Sequence, residues 1–228
     1  MGVEANLEII QRNINEACDI SNRDTEEVTI IGVTKYVTIE RAQEAVQAGI
    51  INLAENRMEG ILEKKEQISN DQVAWHFIGT LQSRKVKHVI DSIDYLHSLD
   101  RLSLAKEIDK RSSNILPCFI QVNVSGEDSK HGLAKDEVDE FVKALRDYPN
   151  IQVVGLMTMA PFSNDETEIR TVFRQLRELR DTIQDKNWEH APCPYLSMGM
   201  SHDYIIAIEE GATHIRIGSS LVGTSETR

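Results

Sequence analysis

Apolar and polar positions recur along the chain in two registers. Short runs dominated by β-branched and aliphatic residues, as expected of strands covered on both faces, occupy residues 28–33, 51–54, 75–78, 95–99, 118–124, 153–159, 195–198 and 214–217. Between them the apolar spacing turns helical. In "TIERAQEAVQAG" Ala42, Ala45, Val46 and Gly49 share a face, and in "DEVDEFVKALRDY" Val138, Phe141, Val142 and Leu145 do so. The segments joining successive strands are too long for hairpins, which implies parallel strands linked by right-handed crossovers. Eight such units close a (β/α)8 TIM-type barrel. An open doubly wound sheet would carry a glycine-rich first turn, and no GxGxxG follows any of the runs. An amphipathic helix over residues 3–18 precedes the first strand, and only "LVGTSETR" follows the eighth. The leading helix is therefore expected to cover the barrel where a final helix would otherwise pack.

The length of 228 residues suits one barrel or two small domains. No Gly/Ser linker, low-complexity tract or charge block divides it, so one domain over residues 1–228 is expected. With 25 basic and 37 acidic side chains the formal charge is -12, which repels phosphate backbones and anionic bilayers. Neither nucleic acid nor a membrane is an expected partner. The N-terminus lacks the basic and apolar regions of a secretory signal, and no run of about 18 apolar residues occurs, so a cytoplasmic location is expected. Cys18, Cys118 and Cys193 lie far apart without metal-ligand spacing; they read as reduced and structural, with no metal site.

Chemistry enters at Lys35, just after the first strand, because barrel enzymes work at the C-terminal ends of their strands. Desolvation there favours the neutral amine, the form that condenses with a carbonyl. The competing reading is a solvated lysine paired with an acid such as Glu55. After strand seven, "LSMGMSHD" puts Gly199 and Ser201 at the start of a helix, where amides and a hydroxyl make an anion site; Ser201 also reads as a plain N-cap. After strand eight, "HIRIGSSLVG" supplies Gly218, Ser219 and Ser220. The loops after strands seven and eight are where barrels commonly bind phosphate. Arg216, two residues before Gly218, faces the same side by strand alternation. Together these residues suit a ligand bearing both a carbonyl and a phosphate.

The runs "VTKYVTIERAQEAVQAGIINLAENRMEG", "WHFIGTLQSRK", "LHSLDRLSLAKEI", "FIQVNVSGEDSKHGL", "VVGLMTMAP" and "LSMGMSHDYIIAIEEGATHIRIGSSLVG" resemble the pyridoxal phosphate homeostasis proteins, single-domain relatives of the alanine racemase N-terminal barrel. The resemblance spans nearly the whole chain in order. It implies pyridoxal 5'-phosphate (PLP) held as an internal aldimine on Lys35, phosphate contacts from Ser201, Gly218 and Ser219, and Arg216 facing the pyridine nitrogen. Asn56, His76, Asn123, Met157 and Gly199 follow as further pocket residues. Ser219 stands where many relatives have threonine, and Ala54 where glycine is usual. Lys130 and His131 in "SKHGL" read as structural or ligand-facing rather than catalytic.

The related racemases take their second base, a tyrosine, from a β-rich domain, whereas this chain is expected to stop at Arg228 without one. The implied function is intracellular PLP homeostasis by a monomer, without robust turnover and with PLP-dependent apo-enzymes as partners. Three readings stay open beside it: an amino-acid racemase with its second base in the barrel loops, a class I aldolase-like Schiff-base enzyme, and a regulatory module that binds other proteins.

Overall fold

Eight parallel strands close on themselves in chain order, each paired with its sequence neighbours and the eighth with the first. They are β1 (Thr29–Val33), β2 (Asn52–Glu55), β3 (Ala74–Phe77), β4 (Tyr95–Leu99), β5 (Leu116–Gln121), β6 (Ile151–Met157), β7 (Tyr195–Met200) and β8 (His214–Ile217). The helices are α1 (Val3–Ser21), α2 (Ile39–Gln47), α3 (Met58–Gln67), α4 (Val86–Val89), α5 (Leu102–Arg111), α6 (Val138–Ala144), α7 (Glu166–Gln184), α8 (Tyr204–Glu209) and α9 (Ser219–Val222). This computed structural model describes residues 2–127 and 131–223. The architecture is the TIM-type α/β barrel that the apolar runs predict.

Closure is sealed where β1 meets β8, with Ile31 opposite Arg216. Ala42 and Ala45 are fully buried on α2, and Val138, Phe141, Val142 and Leu145 are buried on or just beyond α6. Helix α1 buries Ile10, Ile14, Ala17 and Cys18, one apolar stripe at helical spacing. It packs on α8, α9 and α2. Two polar contacts pin it there: Asn6 donates to the Leu221 carbonyl at 2.8 Å and Asn13 to the Tyr204 hydroxyl at 2.7 Å. All three cysteines are buried and unbridged, and burial pushes the Cys193 thiol up to about 12.

Three strands differ from the sequence reading by two residues or more at a boundary, and β1, β2 and β3 by one. β5 starts at Leu116 and stops at Gln121; Val122 keeps one bond to β6, donating to the Met157 carbonyl at 2.9 Å, and bridges to Leu133 in the following loop. β6 is displaced in the same direction, spanning Ile151–Met157 instead of 153–159. β7 continues to Met200, which puts Gly199 inside the strand and moves the next helix to Tyr204 with Asp203 as its N-cap. Ser201 is therefore a turn residue rather than the start of a helix. The barrel interior holds two small apolar clusters, Ile31, Val33 and Ala54 on one side and Phe119, Val154 and Met157 on the other. Between them lie buried His76, His97, Ser197, His214 and Arg216, an unusually polar filling for a fold commonly packed with branched aliphatics.

Candidate functional site

The C-terminal strand ends open on a cavity of about 370 Å³. A wider hollow of about 500 Å³ lies at the other end of the barrel, where β3 to β5 begin. It is lined by Asp71, Asp91 and Asp94 but by no lysine and no glycine–serine loop. The chemistry-bearing residues gather at the smaller cavity, on the face where barrels do chemistry.

Lys35 lies in the turn after β1, half-buried, with its side chain on this cavity. Glu55, the acid that the competing reading pairs with it, is engaged elsewhere. Its Oε1 is 2.7 Å from Lys64 Nζ and accepts from Thr34 Oγ1 at 2.8 Å, while Lys64 Nζ also donates to the Thr34 carbonyl at 3.1 Å. Among the described residues Lys35 has no carboxylate partner; the Tyr36 ring lies 5.4 Å from its ammonium. Tyr36 has φ 74, a left-handed conformation that side-chain-bearing residues seldom adopt. Hydrogen bonds on either side hold this turn: Thr34 N–H to the Ala54 carbonyl at 3.0 Å and Val37 N–H to the Thr34 carbonyl at 3.2 Å. The buried ion pair thus braces the backbone that presents Lys35.

Across the mouth, the loops after β7 and β8 are tied at Ser201. Its hydroxyl oxygen accepts from the amides of Gly218 and Ser220, both at 3.3 Å. Both amides are thereby satisfied, so Ser201 ties the two loops together and its own proton is the donor left for a ligand. Ser201, Gly218 and Ser219 all line the cavity with Lys35. Arg216 lines it too, although only 4% exposed. Burial lowers its guanidinium to about 10, partly opposed by the nearby Asp203 carboxylate. Its Nη1 donates to Ser197 Oγ at 2.6 Å and its Nη2 to the Thr158 carbonyl at 2.9 Å.

Seven residues named from sequence share this cavity: Lys35, Asn56, Met157, Ser201, Arg216, Gly218 and Ser219. His131 joins them, while Lys130 lies outside the described residues. Four others sit elsewhere. Ser220 lies outside the cavity, its amide bonded to Ser201. His76 is buried within the barrel, bonded to His97 and Asn52. Asn123 shapes its own loop, donating to the Glu127 carbonyl at 2.9 Å and accepting from the Gly126 amide at 3.1 Å. Gly199 lies where β7 packs on α8, with φ 93 and room for no side chain: a Cβ would stand 2.6 Å from that of Ala207. Gly199→Ala is expected to cost about 2–4 kcal/mol, from left-handed strain plus overpacking, read by thermal melting. Gln121, Thr80 and His202 also line the cavity and were not foreseen. Gln121 had a usable signal, a polar residue closing the apolar run "CFI" at a strand's C-terminal end.

The family model of the alanine racemase N-terminal domain matches residues 5–226. The chain is also 40% identical to a pyridoxal phosphate homeostasis protein of Aquifex aeolicus, over 95% of this chain and 96% of that one. The chain belongs to the pyridoxal phosphate homeostasis protein family. Among solved structures, this family member is similar to an unknown protein from Bifidobacterium adolescentis, with TM-score 0.91, 29% identity and coverage of 96% of this chain and 94% of that one. It is also similar to PipY of Synechococcus elongatus with PLP bound, with TM-score 0.80, 26% identity and coverage of 92% and 100%. Among the described residues no helix is long and apolar enough to cross a membrane, and no group of three or more His, Cys, Asp or Glu side chains could hold a metal ion.

Proposed function

We propose that this protein binds PLP in the cavity at the barrel mouth, anchors it on Lys35, and serves intracellular PLP homeostasis without robust catalytic turnover. One observation carries the reading: Lys35, without a carboxylate partner among the described residues, the Ser201 hydroxyl and the buried Arg216 guanidinium line the same cavity of about 370 Å³. Small-molecule sites span roughly 300–1,000 Å³, so the volume suits the cofactor. When bound, PLP supplies an aldehyde that condenses with a primary amine, releasing water. Lys35 supplies that amine. Ser201, Gly218 and Ser219 hold the phosphate through hydroxyl and amide donors. Arg216 donates toward the ring nitrogen, which keeps that nitrogen unprotonated and the ring a weak electron sink. Asn56 and Met157 would line the rest of the space around it.

Binding PLP does not by itself make the protein a racemase. Racemisation needs proton carriers on both faces of the reacting carbon. Among the described residues on the cavity, Lys35, His131 and His202 can carry protons, and no tyrosine is present. The relative's name, pyridoxal phosphate homeostasis protein, and the PLP bound to PipY support the same reading. Its partners are then PLP-dependent apo-enzymes, and its working state a monomer.

Borohydride reduction of the PLP-loaded protein, followed by peptide mass mapping, tests the anchor. The expected adduct lies on the peptide containing Lys35. An adduct on another lysine, or none, overturns the assignment, and sustained racemisation of a single amino-acid enantiomer by the same preparation overturns the non-catalytic reading.

A further inference from the structure

A line of side chains crosses the barrel behind the cavity. Arg216 Nη1 is 2.6 Å from Ser197 Oγ, which is 2.9 Å from His97 Nδ1. His97 Nε2 is 2.9 Å from His76 Nδ1, and His76 Nε2 is 3.0 Å from Asn52 Oδ1. Ser197, His97 and His76 are fully buried. The residues come from β8, β7, β4, β3 and β2, so the line joins both walls of the barrel.

Hydrogen-bond chemistry gives this line one direction. A guanidinium only donates, so Ser197 Oγ accepts from Arg216. The serine oxygen has a second acceptor site, but its own proton is bonded within the line only when it goes to His97 Nδ1, and the His97 proton then sits on Nε2, pointing at His76 Nδ1. His76 in turn carries its proton on Nε2 and donates to the Asn52 amide oxygen, an acceptor. Reversing the two imidazoles would require the Asn52 amide to turn over and would leave the serine proton without its acceptor. Both rings are clamped in plane, His97 stacked on Phe119 at 4.3 Å and His76 on Tyr95 at 4.5 Å between centroids. Burial keeps both imidazoles neutral, with His76 lowered to about 3.

Such a chain is costly in a barrel core unless every member is satisfied, and aliphatic side chains would fill the space more simply. Its one charged end is Arg216, the member that lines the cavity. We propose that Ser197, His97 and His76 are positioning residues, a chain with a single donor direction that fixes the Arg216 guanidinium so that it presents a donor to an aromatic nitrogen of the bound cofactor. The inference rests on the PLP reading and deepens it: the pocket selects a ring whose nitrogen accepts, with Arg216 set from behind rather than by a carboxylate.

Two measurements test it separately. In ligand-free protein, long-range ¹H–¹⁵N correlation spectra at neutral pH are expected to show both His76 and His97 as the Nε2–H tautomer; an Nδ1–H tautomer or a charged ring at either overturns the chain. In PLP titrations followed by absorbance, Ser197→Ala and His97→Phe are each expected to weaken binding about tenfold, the size of a hydrogen bond to a charged group. His97→Asn, which keeps an acceptor near the Nδ1 position, should recover most of the loss. In an Arg216→Leu background the Ser197→Ala change should move the dissociation constant by less than about twofold, since coupled residues are non-additive. Equal effects in both backgrounds, or none with Arg216 present, overturn the positioning role. A wild-type protein that takes up no PLP while showing both Nε2–H tautomers would sink the cofactor reading and its positioning role together, leaving only the chain.

Discussion

Lys35→Ala removes stable PLP retention: after gel filtration the variant should emerge without a cofactor absorption band and yield no borohydride-trapped adduct, while wild type carries both. The side chain is half-buried and makes no ion pair with a described carboxylate, so its loss opens little core and strands no charge. Folding stability should change by no more than about 1 kcal/mol, which moves the melting temperature by about 2–4 °C at this size. The phosphate donors at Ser201, Gly218 and Ser219 remain, so weak, reversible binding by equilibrium dialysis should persist. The contrast between lost retention and persisting weak uptake separates an anchor from a mere wall of the cavity. Full retention by Lys35→Ala would rule out the anchor.

Lys64→Met gives the opposite pattern, a stability loss with the anchoring amine intact. Lys64 and Glu55 are both nearly inaccessible, at 8% and 3% side-chain exposure, and 2.7 Å apart. Removing one partner of a buried pair leaves an uncompensated charge, at a cost of about 3–5 kcal/mol. Methionine keeps the length of the lysine stem, so packing changes little and the effect reports the charge. The melting temperature should fall on the order of 10 °C. Replacing both partners with apolar residues, as in Lys64→Met with Glu55→Met, should recover much of that loss, because no buried charge is left alone. The single variant also releases the Thr34 carbonyl at the turn bearing Lys35, so PLP uptake should slow or weaken. A single variant that melts within about 2 °C of wild type would sink the bracing role.

Much of the fold was legible because strands buried on both faces write themselves as uninterrupted apolar runs. Legibility failed at the ends. Pro117 interrupts the run that begins at Leu116, and Val122 continues it in sequence but pairs with Leu133 outside the sheet. The sequence reading puts Gly199 after strand seven at the start of a helix, yet β7 passes through it in a left-handed conformation that only a glycine adopts without strain. Among site residues, those at strand ends converge by topology alone, which is why Lys35, Arg216 and Gly218 could be grouped in advance. Ser201 joined them for a different reason from the one its spacing suggested, as a turn hydroxyl bridging two loops and not as the opening of a helix. His76 was read as a pocket residue, yet it lies within the barrel among His97 and Asn52, because its depth is set by the stagger of neighbouring strands.

The sequence by itself determined the alternation of strand and helix, the parallel closed barrel that follows, and a lysine, an arginine and two glycine–serine loops at one mouth. Local periodicity and strand polarity suffice for those. Only the tertiary structure decided which acid neutralises which lysine, giving Glu55 to Lys64 and leaving Lys35 on the cavity. It alone brought His97 to Ser197, 100 residues away, and lined up the side chains behind Arg216. Partners across a barrel are chosen by register and depth, and those arise only when eight strands close together.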